Sequence, residues 1–353
     1  MKILVSALEH SANVHLGSVL EYLDDVELQG VFSKEYGKPI VDMQERSIMG
    51  FSDAIRALPF FLNLAKDMVE LSKSCDKVLL IDSSGFNLPL AKKIKKANPN
   101  IEIIYYILPQ AWAWKEKRVY KLAKYCDKLL SILPFESAIY PANANIKYVG
   151  HPLLDYIKEY KTTIPKEFKK ILFMPGSRRV EITKLMPIFI ELLKKLGNIE
   201  ATLAVPKHLK DNLELYGDIS NFKISYNSKE ALKEADFAFI CSGTATLEAS
   251  LIGTPFVLAY KAKPFDYFIG TKLIKLNYIG LANIFFEKMG KEPMHKELLQ
   301  DEVNVDNLYK SFKEFNSVNF LENAKILREY LKYGSAKEVA VEIENGELKV
   351  KFI

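Results

Sequence analysis

Short apolar runs separated by amphipathic stretches fill the chain almost from end to end. KILVSAL, KVLLID, IEIIYYIL, KLLSIL, KKILFMPG, EATLAV, KISY, ADFAFICS and TPFVLAY read as strands, and between them LPLAKKIKKANP and MPIFIELLKKLG repeat their apolar residues at helical spacing. Strands alternating with helices predict βαβ units and parallel sheets covered on both faces. The stretch LLDYIKEYKTTIPKEFKK, residues 153 to 170, breaks that rhythm with charge, two threonines and a proline, and a fresh strand begins at ILFMPG. The fold class is therefore α/β, with two Rossmann-like domains, 1–160 and 161–310, and a C-terminal piece, 311–353. Open parallel sheets gather ligands at the carboxyl ends of their strands, so a cleft between the domains is the expected site. Near the end, FLENAKILREYLKYG reads as helix, and KEVAVEIENGELKVKFI alternates around Asn345-Gly346, a two-residue hairpin signal.

One amphipathic stretch has two readings. In FSDAIRALPFFLNLAKDMVEL, residues 51 to 71, Phe51, Ile55, Leu58, Phe60, Phe61, Leu62 and Leu64 crowd one end around Pro59. It is either a core helix or a surface helix that dips into a membrane interface beside Arg56 and Lys66, with Phe60 and Phe61 as the inserted pair.

Composition narrows the class. With 353 residues, half of them apolar and a quarter charged, the chain holds two ordinary globular domains. Cys75, Cys126 and Cys241 stand singly, which argues against a disulfide framework or a thiolate metal site and fits a reducing compartment. No signal-peptide pattern or long apolar run occurs, so a cytoplasmic location is expected. The net charge of +5 favours phosphorylated partners over acidic proteins, and no nucleic-acid signature accompanies it.

Two loops in the second half repeat a strand-loop-helix pattern. In FMPGSRRVEI, Pro175-Gly176-Ser177 turns and a helix with Glu181 in its first turn follows; in FICSGTATLEAS, Ser242-Gly243-Thr244 turns before a second helix containing Thr246 and Leu247. A helix start offers unpaired N–H groups and a positive dipole end, so each loop can take a phosphate. Arg178 adds a fork of donors for a diphosphate. Glu248, one turn after Thr244, can accept from the vicinal hydroxyls of a ribose. Each loop alone is also compatible with a plain capped turn. Neither G-x-G-x-x-G nor G-x-x-x-x-G-K-[ST] is present, and the acidic residues are not paired as a magnesium site needs. A nucleotide would be held by backbone and arginine, without metal and without a cofactor.

MPGSRRVEI, CSGTATLEASLIGTPFVLAY, ILPQAWAWKEKRVYKLAKYCDKLLSILPFE and VGHPLLD, in this chain order, resemble the lipid-A-disaccharide synthase family, inverting glycosyltransferases of the two-domain GT-B type. The resemblance runs from about residue 3 to about 310. It implies two domains facing across a cleft, with C-terminal helices crossing back. The implied reaction joins UDP-2,3-diacylglucosamine to 2,3-diacylglucosamine 1-phosphate, giving the β-1,6-linked lipid A disaccharide 1-phosphate and UDP. It also implies a peripheral place on the inner face of the inner membrane, and a second copy of the chain is a candidate partner. The family's Gly-Glu-x-Ser-Gly-Asp loop falls on Leu8-Glu9-His10-Ser11-Ala12-Asn13, keeping Glu9 and Ser11 on the acceptor side. Its Ile-Asp-x-Pro-Asp-Phe-Asn falls on Ile81-Asp82-Ser83-Ser84-Gly85-Phe86-Asn87, keeping the first Asp and losing the second. Arg178, Glu248, Asn283 and Gln300 match family positions on the nucleotide-sugar side, with Gly176, Ser177, Ser242, Gly243, Thr244 and Thr246 in the loops.

Asp82 terminates a strand where a site opens, and reads as the catalytic carboxylate or as a turn cap. His10 and His15 flank Ser11. His151 reads first as a capping residue, and Trp112 and Trp114 as packing anchors rather than lipid contacts. Two rival functions share the architecture: a UDP-sugar 2-epimerase, which needs no lipid-facing surface, and a non-catalytic UDP-sugar-binding protein, suggested by the altered acceptor loops.

Overall fold

The computed structural model describes residues 1–43, 54–261 and 277–344. They form two compact units, Met1–Asp155 with Leu331–Ile353, and Tyr156–Tyr330. The C-terminal piece 311–353 is thus divided between the units, and only residues from Leu331 onward belong to the first.

In the first unit the strands are β1 (Lys2–Ser6), β2 (Glu27–Val31), β3 (Lys77–Ile81), β4 (Glu102–Tyr106), β5 (Lys128–Ser131) and β6 (Ile146–Tyr148). All pair in parallel, in the order β2-β1-β3-β4-β5-β6. The direction of travel therefore reverses between β1 and β3. Helices α1 (His10–Leu20), α2 (Ala54–Leu71), α3 (Ser84–Ala97) and α4 (Arg118–Tyr125) cover the sheet. In α3 the buried Leu88, Ala91 and Ile94 recur at helical spacing, while Lys92, Lys93 and Lys96 between them are exposed. In α2, Phe60 and Phe61 are half-buried and pack on the core with Leu64 and Met68, and it is Leu58 and Leu62 that are exposed. That corrects the assignment of Phe60 and Phe61 as an inserted pair. Phe51 lies outside the described residues.

The second unit repeats the plan with β7 (Lys170–Met174), β8 (Glu200–Ala204), β9 (Lys223–Ser225), β10 (Phe237–Cys241), β11 (Phe256–Tyr260) and β12 (Lys296–Leu299). Their order, β12-β11-β10-β7-β8-β9, reverses between β7 and β10. Around them pack α5 (Arg179–Leu196), α6 (Ser228–Glu234), α7 (Thr244–Ile252), α8 (Leu281–Lys288), α9 (Val305–Lys313) and α10 (Phe320–Leu331). Phe173 of β7 stacks on Phe239 of β10 at 5.4 Å between centroids. Both rings are fully buried, which ties together the two strands at the reversal.

The tail differs from its sequence reading. Residues Ser335–Ile343 form a helix, α11, not the first arm of a hairpin. Its buried residues, Ala336, Val339, Ala340 and Ile343, recur at three and four and join the core against α1. The Asn345-Gly346 turn lies outside the described residues. Among the described residues no helix is long and apolar enough to cross a membrane.

Candidate active site

Both reversals fall where a doubly wound sheet collects ligands, because loops leaving neighbouring strands there diverge to opposite faces and leave a crevice. Each unit has its own recess at that place.

In the second unit the recess, about 390 Å³, is lined by Gly176, Ser177, Arg178 and Glu181 after β7 and by Ser242, Gly243, Thr244 and Ala245 after β10. Gly176 has φ +100°, and a Cβ there would stand 2.4 Å from a Glu181 carboxylate oxygen, so glycine is required. Glu181 is buried and accepts from the Arg178 amide at 3.3 Å and from its Nη1 at 3.0 Å, folding the arginine over its own helix start. The Arg178 side chain stays 78% exposed, open to an anion. No atom of the described residues lies within 4 Å of where a Cβ on Gly243 would stand, so the start of α7 can be approached closely. Two helix starts and one guanidinium thus converge on this recess, donors of the kind an anion accepts.

The other nucleotide-side residues divide. Thr246 is buried and donates to the Gly243 carbonyl at 2.8 Å, shaping the turn and not lining the recess. Glu248 is half-buried one turn behind Thr244, outside the lining; burial pushes its carboxyl up to about 7 against the opposing pull of Lys229. Asn283 has every amide position occupied: its Nδ2 donates to the His295 carbonyl and to Glu297 Oε1, and its Oδ1 accepts from the Met294 and His295 amides. It scaffolds the approach to β12 and has no valence left for a ligand. Gln300, directly after β12, has φ +52° and a buried Nε2 without an acceptor among the described residues. Backbone strain and a buried donor without a partner are features that concentrate at functional sites. Sequence reasoning missed Val205 and Pro206 after β8 and Tyr226 after β9, which complete the wall and offer faces for a base. Their signal was position alone, at the carboxyl ends of two further strands.

In the first unit, Asp82 and Ser83 follow β3 with φ of +51° and +42°. Two consecutive non-glycine residues in the left-handed region cost roughly 1–3 kcal/mol each, so the surroundings must hold them. The Tyr105 hydroxyl donates to the Asp82 carbonyl at 2.6 Å, and Asn87 Nδ2 donates to the carbonyls of Asp82 and Ile81 at 2.9 and 3.1 Å. Asn87 is in turn fixed by the Ser6 hydroxyl at 2.6 Å. The Asp82 side chain is left at the mouth of a recess of about 480 Å³, with Glu9, Ser83, Ser84, Gly85 and the apolar Leu8, Met43, Phe61 and Phe86. Burial first, and then the neighbouring Glu9, raises its carboxyl above the ordinary carboxylate range, against the Ser83 amide, which lowers it. Ser83 Oγ donates to Glu9 at 3.2 Å.

Ser11 is exposed on the first turn of α1 and outside that lining. Ala12 is core, and Asn13 is buried, donating to the Ala7 and Glu9 carbonyls and accepting from the Ser33 amide. That position serves loop geometry here. Burial pushes His15 down to about 4, against Tyr106, and His151 to about 3, where its Nδ1 accepts from the Leu153 amide. Both are neutral structural groups at pH 7. Trp112 packs edge-on against Phe135 at 5.2 Å, whereas Trp114 is exposed between Lys115 and Arg118. Among the described residues no group of three or more His, Cys, Asp or Glu is placed to hold a metal ion.

Solved structures share this architecture at low identity. The UDP-GlcNAc 2-epimerase from Neisseria meningitidis bound to UDP-GlcNAc superposes with TM-score 0.63 at 14% identity, over 98% of this chain and 100% of that one. Acinetobacter baumannii MurG superposes with TM-score 0.58 at 15% identity, over 98% and 99%. Such likeness shows the fold alone. The sequence relatives are far nearer. Lipid-A-disaccharide synthase of Helicobacter pylori (strain ATCC 700392 / 26695) is 50% identical over 357 residues, covering 97% of each chain. That of Campylobacter jejuni (strain RM1221) is 49% identical over 361 residues, covering 96% of this chain and 97% of its own. With the lipid-A-disaccharide synthetase family model matching residues 3–346 as well, the chain belongs to the lipid-A-disaccharide synthase family.

Proposed function

We infer that the protein joins UDP-2,3-diacylglucosamine to 2,3-diacylglucosamine 1-phosphate in lipid A biosynthesis, with inversion and release of UDP. The single observation that carries this reading is the half-identity to lipid-A-disaccharide synthase over nearly the whole of both chains. Asp82 is the general base. It takes the proton of the acceptor 6-hydroxyl as that oxygen bonds to the donor C1 and the C1–O bond to the diphosphate breaks, the electron pair leaving with UDP. Its strained backbone, pinned by Tyr105 and Asn87, supports the role, because strain of this kind persists where function needs it. Arg178 and the starts of α5 and α7 neutralise the departing diphosphate. Glu248 accepts from the ribose, and Gln300 contacts the donor. Asn283 is a positioning residue for the segment that leads to Gln300.

The enzyme works at the cytoplasmic face of a membrane, without crossing it. α2 packs beside α3 and α3 beside α4, and their outward stripes offer exposed Leu58 and Leu62, then Lys92, Lys93 and Lys96, then Tyr120, Lys121 and Lys124. Apolar and cationic side chains side by side suit an anionic lipid interface. Incubating the purified protein with both lipid substrates and assaying disaccharide by mass spectrometry tests the activity. Absence of disaccharide together with epimerisation of UDP-GlcNAc would transfer the reading to the 2-epimerases.

A further inference from the structure

The recess that holds Asp82 is apolar over much of its wall. Leu8 closes one side, and the rings of Phe61 and Phe86 meet at 5.8 Å on another. Its volume, about 480 Å³, is that of a small-molecule site. A sugar hydroxyl approaching Asp82 needs polar company, which Glu9, Ser83 and Ser84 supply, while Leu8, Met43 and the two phenyl rings add an apolar wall beside it.

Gly85 stands at the edge of this wall, as the second residue of α3. Its φ lies outside the left-handed region, and no atom of the described residues lies within 4 Å of where a Cβ would stand. Neither the backbone nor a neighbour therefore demands glycine there, and glycine inside a helix is less stable than alanine. What the residue provides is open space on the wall of the recess. The family pattern places an acid at this position; its absence also removes a third carboxylate from beside Glu9 and Asp82, leaving that approach uncharged.

We propose that this recess takes a fatty acyl chain of the acceptor, and that Gly85 determines how much of that chain it admits. The inference rests on Asp82 being the base, since the acceptor must then lie against the same wall. Burial of the methylenes against Leu8, Phe61 and Phe86 contributes binding that holds the hydroxyl in reach of the carboxylate.

The test measures kcat and KM for full-length wild type, Gly85→Ala and Gly85→Leu. Acceptor acyl length is varied at fixed donor, and then donor acyl length at fixed acceptor. Gly85→Leu should raise KM for a long-chain acceptor by about tenfold or more, the scale of small changes in pocket volume, and leave KM for an acceptor with truncated chains within about twofold. Gly85→Ala should raise Tm while raising KM for the long-chain acceptor, opposite signs that separate binding from folding. An equal rise for long and truncated acceptors would overturn the proposal in favour of a sugar subsite. A dependence that follows donor length would assign the recess to the donor. Absence of turnover by the wild type would instead sink the proposed function itself.

Discussion

The Tyr105 hydroxyl, on β4, donates at 2.6 Å to the main-chain carbonyl of Asp82, which follows β3 with a φ of +51°. One buried phenol on the neighbouring strand thus helps hold a carboxylate-bearing residue in a conformation its own backbone resists. Tyr105→Phe removes that donor while Asn87 still holds the same carbonyl. We expect a stability loss of roughly 1 kcal/mol, the net worth of such a bond, and a fall in kcat with UDP affinity unchanged. Urea unfolding and single-turnover rates measure both; unchanged kcat in a destabilised protein would reduce Tyr105 to a structural role.

Asp82→Asn keeps shape and removes basicity. The disaccharide-forming rate should fall by roughly 10²-fold or more, the usual scale of general-base catalysis, while UDP binding, which the proposed function assigns to the other unit, should stay put. Because burial and Glu9 raise the Asp82 carboxyl, its ionised form is gained at higher pH than usual for an aspartate. Glu9→Gln should shift the acid limb of the kcat/KM profile to lower pH. Near-normal turnover by Asp82→Asn would place the base elsewhere, with Glu9 and His10 the next groups to substitute.

Arg178→Ala should weaken UDP binding strongly and leave Tm nearly unchanged, since the side chain is exposed and its partner among the described residues, Glu181, retains the Arg178 amide. Asn283→Ala should do the reverse first. Four hydrogen bonds end on that amide, so Tm falls sharply before any ligand is added. Calorimetric titration with UDP, done with and without EDTA, checks the pair; a requirement for magnesium would contradict arginine and helix starts as the diphosphate site.

Glu136 gives a pH signature unconnected with turnover. It is fully buried, accepts from Ser131 Oγ at 2.5 Å, and burial pushes its carboxyl up to about 7. A folded pKa above the unfolded one means this contribution to stability is intact below about pH 4.5 and is lost as pH rises to about 7, by roughly 3 kcal/mol. Glu136→Gln should match the wild type near pH 5 and exceed it near pH 8 in unfolding free energy. The same pH slope in both proteins would mean that Glu136 titrates normally.

Leu58→Ser with Leu62→Ser should weaken sedimentation with anionic liposomes and leave Tm within a few degrees, because both side chains are exposed. Phe60→Ser with Phe61→Ser should lower Tm instead. Undiminished liposome binding by the folded leucine variant would move the interfacial role away from α2.

The sequence exposed the interior of this fold more readily than its margins. All nine runs read as strands are strands. Those it did not show, ELQGV in β2, IKY in β6 and KELL in β12, are edge strands, half-solvated and without a continuous apolar run. The tail was misread because Val341-Glu342-Ile343-Glu344 alternates locally, whereas the buried set 336, 339, 340 and 343 is helical only over a longer window. That Asp82, Arg178 and the two helix starts would line recesses was legible from strand-end position and residue type. Neither the saturated amide of Asn283 nor the wall formed by Pro206 and Tyr226 could be read, since both depend on which distant segments meet.

The first unit cannot finish its interior from its own first 155 residues. Ala336, Val339, Ala340 and Ile343 of α11 cover α1 and complete the cluster around Ile3, Val5 and Ile81. On the ribosome, that patch must therefore wait while the whole of the second unit is made, a delay of roughly ten to forty seconds at typical elongation rates. During this interval a nascent chain carries an uncovered apolar groove with Leu16 and Val19 at its centre, and the contiguous second unit, Tyr156–Tyr330, has the means to fold first. The first unit, begun first, is thus completed last, and a chain released short of Ala336 would leave that groove open to chaperones even with every residue of the second unit in hand.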